Sequence, residues 1–78
     1  MRRQKALTKA FGGVIRDERK RLGISQERLG LSAKIHPTYI SQVERGLKSP
    51  SLEVIAALAK ALDRKPYELI RAAEGKAH

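Results

Sequence analysis

Cysteine is absent from the 78 residues, which excludes disulfides and thiolate metal sites. Histidine is limited to His36 and the terminal His78, a poor inventory for a metal centre, so neither metal nor cofactor is expected. Aromatics are scarce: Phe11, Tyr39 and Tyr67, too few and too scattered for a platform that stacks single-stranded bases. No apolar run approaches the roughly 20 residues that a bilayer span needs. The start, Met1-Arg2-Arg3, is not followed by the apolar stretch of about 7–15 residues that marks an export signal. These absences predict a cytoplasmic chain without a membrane partner. Catalytic parts are missing as well. There is no paired carboxylate in a plausible cleft, no glycine-rich phosphate loop and no serine–histidine–aspartate set, so no catalytic residue, enzyme activity or small-molecule substrate is expected.

Acidic residues are also few, 8 against 17 Lys and Arg, for a net charge of +9 and a pI near 10.5. In so small a chain that excess makes a positive field suited to nucleic acid or an anionic surface. The hydrophobic fraction, 41%, suffices for one core and one domain. Residues 1–7, with Arg2, Arg3 and Lys5, read as a mobile basic arm. A first helix is predicted over 8–22, where Phe11, Ile15, Arg19 and Leu22 share a face flanked by Val14. Gly12 and Gly13 weaken it, and Gly23 suits its stop. Ser25 is a good N-cap for a second helix with Leu29 and Ala33 inward. Lys34, Ile35 and His36 form a turn, and Pro37 fits the first position of a third helix that buries Ile40 and Val43 and ends at Gly46. After a loop at Lys48-Ser49-Pro50, Ser51 caps a fourth helix with Leu52, Ile55, Leu58, Ala59 and Leu62 on one stripe. Pro66 opens a fifth, with Leu69, Ile70 and Ala73 at helical spacing, and residues 75–78 should fray. The reading is all-α, a compact five-helix bundle whose body spans 8–74.

The block 25–46 has a further property. Two short helices joined by a three-residue turn and held crossed by buried aliphatics let the third helix project its polar N-terminal end into a groove about 12 Å wide. The run Ile35-His36-Pro37-Thr38-Tyr39-Ile40-Ser41-Gln42-Val43-Glu44-Arg45-Gly46, with Pro50-Ser51-Leu52 and the stripe that follows, resembles the Cro/C1-type (XRE) helix-turn-helix domains of the lambda-repressor-like fold. The resemblance covers about residues 8–71. It implies a regulator of transcription that binds double-stranded DNA, like small stand-alone regulators such as restriction-modification controller proteins. It further implies that Gln26 holds a backbone phosphate and that Thr38, Tyr39 and Gln42 face bases or backbone. Gln42 can pair with adenine through its amide, or bond guanine instead. Arg45, Lys48 and Ser49 then lie at phosphates after the third helix, and Arg19 and Glu44 form a structural ion pair.

Three positions depart from the family pattern. Lys34 stands where glycine is common, so it must accept a left-handed backbone or reshape the turn. Gly30 stands where alanine is usual. Pro37, still counted within the DNA-facing set, replaces a polar base-reading side chain and leaves fewer groups to specify bases. Some readings compete at single residues: Tyr39 as packing or as phosphate contact, His36 as a turn residue, and Arg16, Lys20 and Arg21 as a solvated helix face. The expected assembly is a homodimer on a palindromic operator, joined through Tyr67, Ile70 and Ala73 of the fifth helix. The alternative is an antitoxin-like protein whose main partner is another protein and whose DNA binding is autoregulatory. RNA binding or a purely structural adaptor is a third class.

Overall fold

The computed structural model describes residues 2–77, with side chains described from residue 5 onward. Met1 of the expected arm and His78 of the expected tail lie outside the described residues. Five helices follow one another: α1 (Arg2–Arg21), α2 (Gln26–Ala33), α3 (Pro37–Glu44), α4 (Leu52–Ala61) and α5 (Pro66–Ala77). Among the described residues there is no strand. Helix α1 lies along α5 and α3, α2 packs on α3 and α4, and α4 meets α5.

Local chemistry sets the helix ends. Ser25 Oγ accepts from Arg28 N at 3.0 Å, and Ser51 Oγ accepts from Val54 N at 3.1 Å. Each satisfies one of the donors that a helix start leaves without a partner. His36 caps α3: its Nδ1 accepts from Thr38 N at 3.1 Å, which places the ring proton on Nε2. Pro37 occupies the first turn of α3, where no N–H is required. At α5, Glu68 Oε1 reaches back to accept from Lys65 N at 2.7 Å.

The buried core draws on every helix: Phe11, Val14 and Ile15 from α1, Leu29 from α2, Ile40 and Val43 from α3, Leu58 and Ala59 from α4, Leu62 at its cap, and Leu69 and Ala73 from α5. Two glycines permit the close crossings that place α3. A Cβ on Gly12 would collide with Val43 O and come within 2.9 Å of Glu44 O, so α1 touches the α3 backbone there. A Cβ on Gly30 would lie 2.5 Å from Ile35 O, so the turn between α2 and α3 folds directly over that position. Within the turn, Lys34 takes the left-handed conformation, φ 58° and ψ 43°, and the turn keeps its shape.

Four expectations require correction. Helix α1 begins at Arg2, not Thr8. Residues 2–7 contain neither glycine nor proline, and Arg, Gln, Lys, Ala and Leu are strong helix formers. Helix α5 likewise continues through Gly75 to Ala77; there the Lys76 ammonium meets the Asp17 carboxylate at 2.6 Å. Leu22 is exposed because α1 ends one residue earlier. Leu52 is 80% exposed although it lies on the α4 stripe, because the stripe runs past the end of the core that covers its other members.

Candidate nucleic-acid interface

The turn holds α2 and α3 so that the first turn of α2 sits beside the outer side of α3. One cleft between them is lined by Gln26, Glu27, Pro37, Thr38 and Ser41. A second cleft shares Gln26 and Ser41 as a common wall and extends to Arg45 of the α3 end and to Arg16 and Lys20 of α1. Together they form a continuous polar surface from Thr38 to Arg45. Arg16, Lys20 and Arg45 take part in no ion pair among the described residues, so their charge is available to an external anion. The capped end of α2 adds free backbone N–H groups on the same side.

Arg19 and Glu44 form the floor of the second cleft. Arg19 Nε donates to Glu44 Oε2 at 2.7 Å and Nη2 donates to Oε1 at 3.0 Å, a two-point pair that ties α1 to the end of α3. Their side chains are 13% and 4% exposed, so water screens the pair little. The hydrogen bonds to Glu44 hold the Arg19 guanidinium charged more firmly than usual, although burial acts against it. Arg19 also donates to Ile24 O at 2.9 Å, so it braces the entry into α2 as well.

The residues singled out in the sequence are distributed unevenly. Gln26, Pro37 and Thr38 converge on one cleft, and Arg45 joins Gln26 in the other. Gln42 is half-buried and Lys48 is exposed, and both lie outside these clefts. Tyr39 is half-buried and packs against the core, which favours packing of the two readings left open above. Ser49 sits with Pro50 on an apolar groove lined by Leu7, Phe11, Ile55 and Ile70, not on the polar surface. Ala73 is fully buried within the monomer and is withdrawn as an interface residue, whereas Tyr67 is 67% exposed and Ile70 half-buried. The reason is that α5 turns Leu69 and Ala73, four residues apart, to α1 and α4. Sequence reasoning singled out no role for Ser41 and read Arg16 and Lys20 as a solvated helix face; in the structure all three line the polar clefts. Helical spacing puts Arg16 and Lys20 on one side of α1, but nothing in that spacing says that α3 lies opposite.

A family model described as Helix-turn-helix matches residues 15–69. The chain belongs to this family and is a helix-turn-helix transcriptional regulator of the Cro/C1 (XRE) type. More particularly, it is similar to the control protein C.BamHI of Bacillus amyloliquefaciens, at 39% identity over 61 residues, which span 77% of this chain and 75% of that one. It is also similar to the solved restriction-modification controller protein C.AhdI from Aeromonas hydrophila, at 41% identity and a TM-score of 0.77, over 81% of this chain and 94% of that one. The solved clp gene regulator ClgR from C. glutamicum superposes with a TM-score of 0.87 at 29% identity, over 92% of each chain.

Proposed function

We propose that this chain is a controller-type regulator that binds duplex DNA as a homodimer on a palindromic operator, with α3 in the major groove. The observation that carries the reading is the unbroken polar surface along the outer side of α3. Thr38 and Ser41 face the opening, and Gln26, Arg45, Arg16 and Lys20 surround it with donors and unpaired cations. An anionic backbone on both sides of an inserted helix is the partner that such a surface fits. Gln42, one helical turn after Thr38, supplies the amide for base recognition, and Lys48 extends the cationic flank.

Support for the two-fold assembly comes from the other face. Ile55 and Ile70 line an apolar groove with Leu7 and Phe11. Leu52 lies one turn from Ile55, Tyr67 one turn from Ile70, and both are largely exposed. A second copy would cover this patch and multiply the few base contacts that one reading helix makes. The interface so proposed is Leu52, Ile55, Tyr67 and Ile70, without Ala73.

Selection of bound sequences from random duplex DNA, followed by a salt titration on the winner, tests the reading. A two-fold symmetric site is expected. If the dimer neutralises about six to ten phosphates, affinity should fall roughly 10³–10⁵-fold between about 50 and 200 mM salt. An asymmetric half-site bound as tightly as the full site, or a flat salt titration, would count against it.

A further inference from the structure

Two helices start on a serine N-cap, Ser25 at α2 and Ser51 at α4, whereas α3 starts on His36. Serine, threonine, aspartate and asparagine are the preferred caps, because their short side chains reach the first free N–H groups. Capping alone does not call for a histidine. The difference lies in what is left over: a serine side chain ends at the capping oxygen, but the imidazole carries a second nitrogen further out. Nδ1 accepts from Thr38 N at 3.1 Å, so the ring proton resides on Nε2 and that nitrogen can only donate. The two ring nitrogens point apart, so Nε2–H is directed away from the helix backbone, on a residue that is exposed. His36 stands next to Pro37 and Thr38, which line the polar cleft at the start of α3. Pro37, between the two, has no polar side chain.

We propose that His36 is a specificity-determining residue whose Nε2–H recognises a guanine in the major groove. The inference rests on the duplex DNA reading above and adds a base contact to it. A lone donor separates the four bases by what each presents in that groove. Guanine offers two acceptors side by side, N7 and O6. Adenine offers N7 beside an amino donor, thymine offers O4 beside a methyl group, and cytosine offers only an amino donor. The ring therefore fits guanine best and cytosine worst. A reading helix enters the groove by its N-terminal end, where side chains meet base edges, which favours a base over a phosphate as the acceptor. The cap bond also fixes the tautomer and restrains the ring before DNA arrives, so less freedom is lost on binding. His36 thus supplies a polar group beside the position at which Pro37 has none.

His36→Ser separates capping from recognition, because serine keeps the capping acceptor and removes Nε2–H. Its urea midpoint should not fall below that of wild type. Sequences selected from random duplex DNA by wild type should carry guanine at one fixed position of each half-site. Those selected by His36→Ser should lose the preference at that position alone. On the selected operator, exchanging that G·C pair for C·G in one half-site should weaken wild type about tenfold and the variant less than about twofold. Equal losses for both proteins at every base pair would make His36 a cap and nothing more, and overturn the proposal. So would a difference confined to operators that carry a single uncharged methylphosphonate, which would mark a phosphate contact instead. His36→Thr, which caps by the same chemistry, takes the place of His36→Ser if the latter does not fold. Long-range ¹H–¹⁵N correlation spectra of neutral His36 in the free protein give an independent readout. Protonation of Nε2 alone is expected, and a mixture of the two tautomers overturns the proposal. Wild type that binds no duplex at all would defeat the DNA reading itself, a result distinct from equal losses in a protein that binds.

Discussion

Lys34 is where one residue bears the cost of the motif's geometry. Its own N–H and that of Ile35 both return to Gly30 O, which requires a left-handed residue at the end of α2. For a residue with a Cβ that conformation costs about 1–2 kcal/mol, whereas glycine adopts it freely but loses more entropy on folding. Lys34 is exposed, so little packing is lost on truncation. Lys34→Gly should therefore stabilise the fold by about 0.5–1 kcal/mol. The urea midpoint should rise at unchanged slope. A midpoint that falls would show that the lysine stem contributes more than the backbone strain removes.

At the scale of elements, α1 is fastened to the connection between α4 and α5 through Glu18. Arg64 Nε meets Glu18 Oε1 at 2.7 Å and Arg21 Nη2 meets it at 3.0 Å. Burial alone would raise the Glu18 pKa, but the hydrogen bonds and charges of Arg64 and Arg21 outweigh it and lower it below the ordinary 4.5. A carboxyl whose pKa is lower folded than unfolded adds stability that is fully present above the unfolded value. That stability is lost as pH falls through the folded value. Glu18→Gln should therefore melt below wild type near neutral pH, and the gap should close as pH drops below about 4. A gap independent of pH down to 2.5 would show that the two arginines hold the helix equally well without the charge.

The molecule as a whole has two unlike faces, a cationic one around α3 and an apolar one around α4 and α5. Leu52 is the residue that distinguishes a covered apolar face from a bare one, because it is largely exposed in the monomer. Leu52→Glu should leave the helical circular dichroism signal and the monomer's stability nearly unchanged, since surface substitutions usually cost less than about 0.5 kcal/mol. If the proposed dimer forms through this patch, wild type should sediment as a dimer at tens of micromolar, whereas the variant should sediment as a monomer and lose the preference for a two-fold site. Wild type that is already monomeric at that concentration, or a variant that still dimerises, removes this patch as the interface.

The helical elements and the helix-turn-helix were legible in the sequence because they rest on signals spaced within a turn or two: Ser25 and Ser51 as caps, Pro37 and Pro66 at helix starts, and the inward pairs Leu29/Ala33 and Ile40/Val43. Local spacing also put Arg19 on an apolar stripe, where a lone charge needs a partner, and the family resemblance supplied Glu44 for that role. What spacing cannot express is which element lies opposite a given face. Gly12 reads along the chain as a weakness in a helix, yet α3 touches α1 there. Leu52 and Ala73 both sit on good stripes, and only the extent of the packed neighbours decides that Ala73 is enclosed and Leu52 is not. Gln26 Nε2 donates to Glu44 Oε1 at 3.0 Å, a bond between residues that are distant in sequence and belong to different helices. It exists because three helices converge on one carboxylate, and that convergence is set by the tertiary packing.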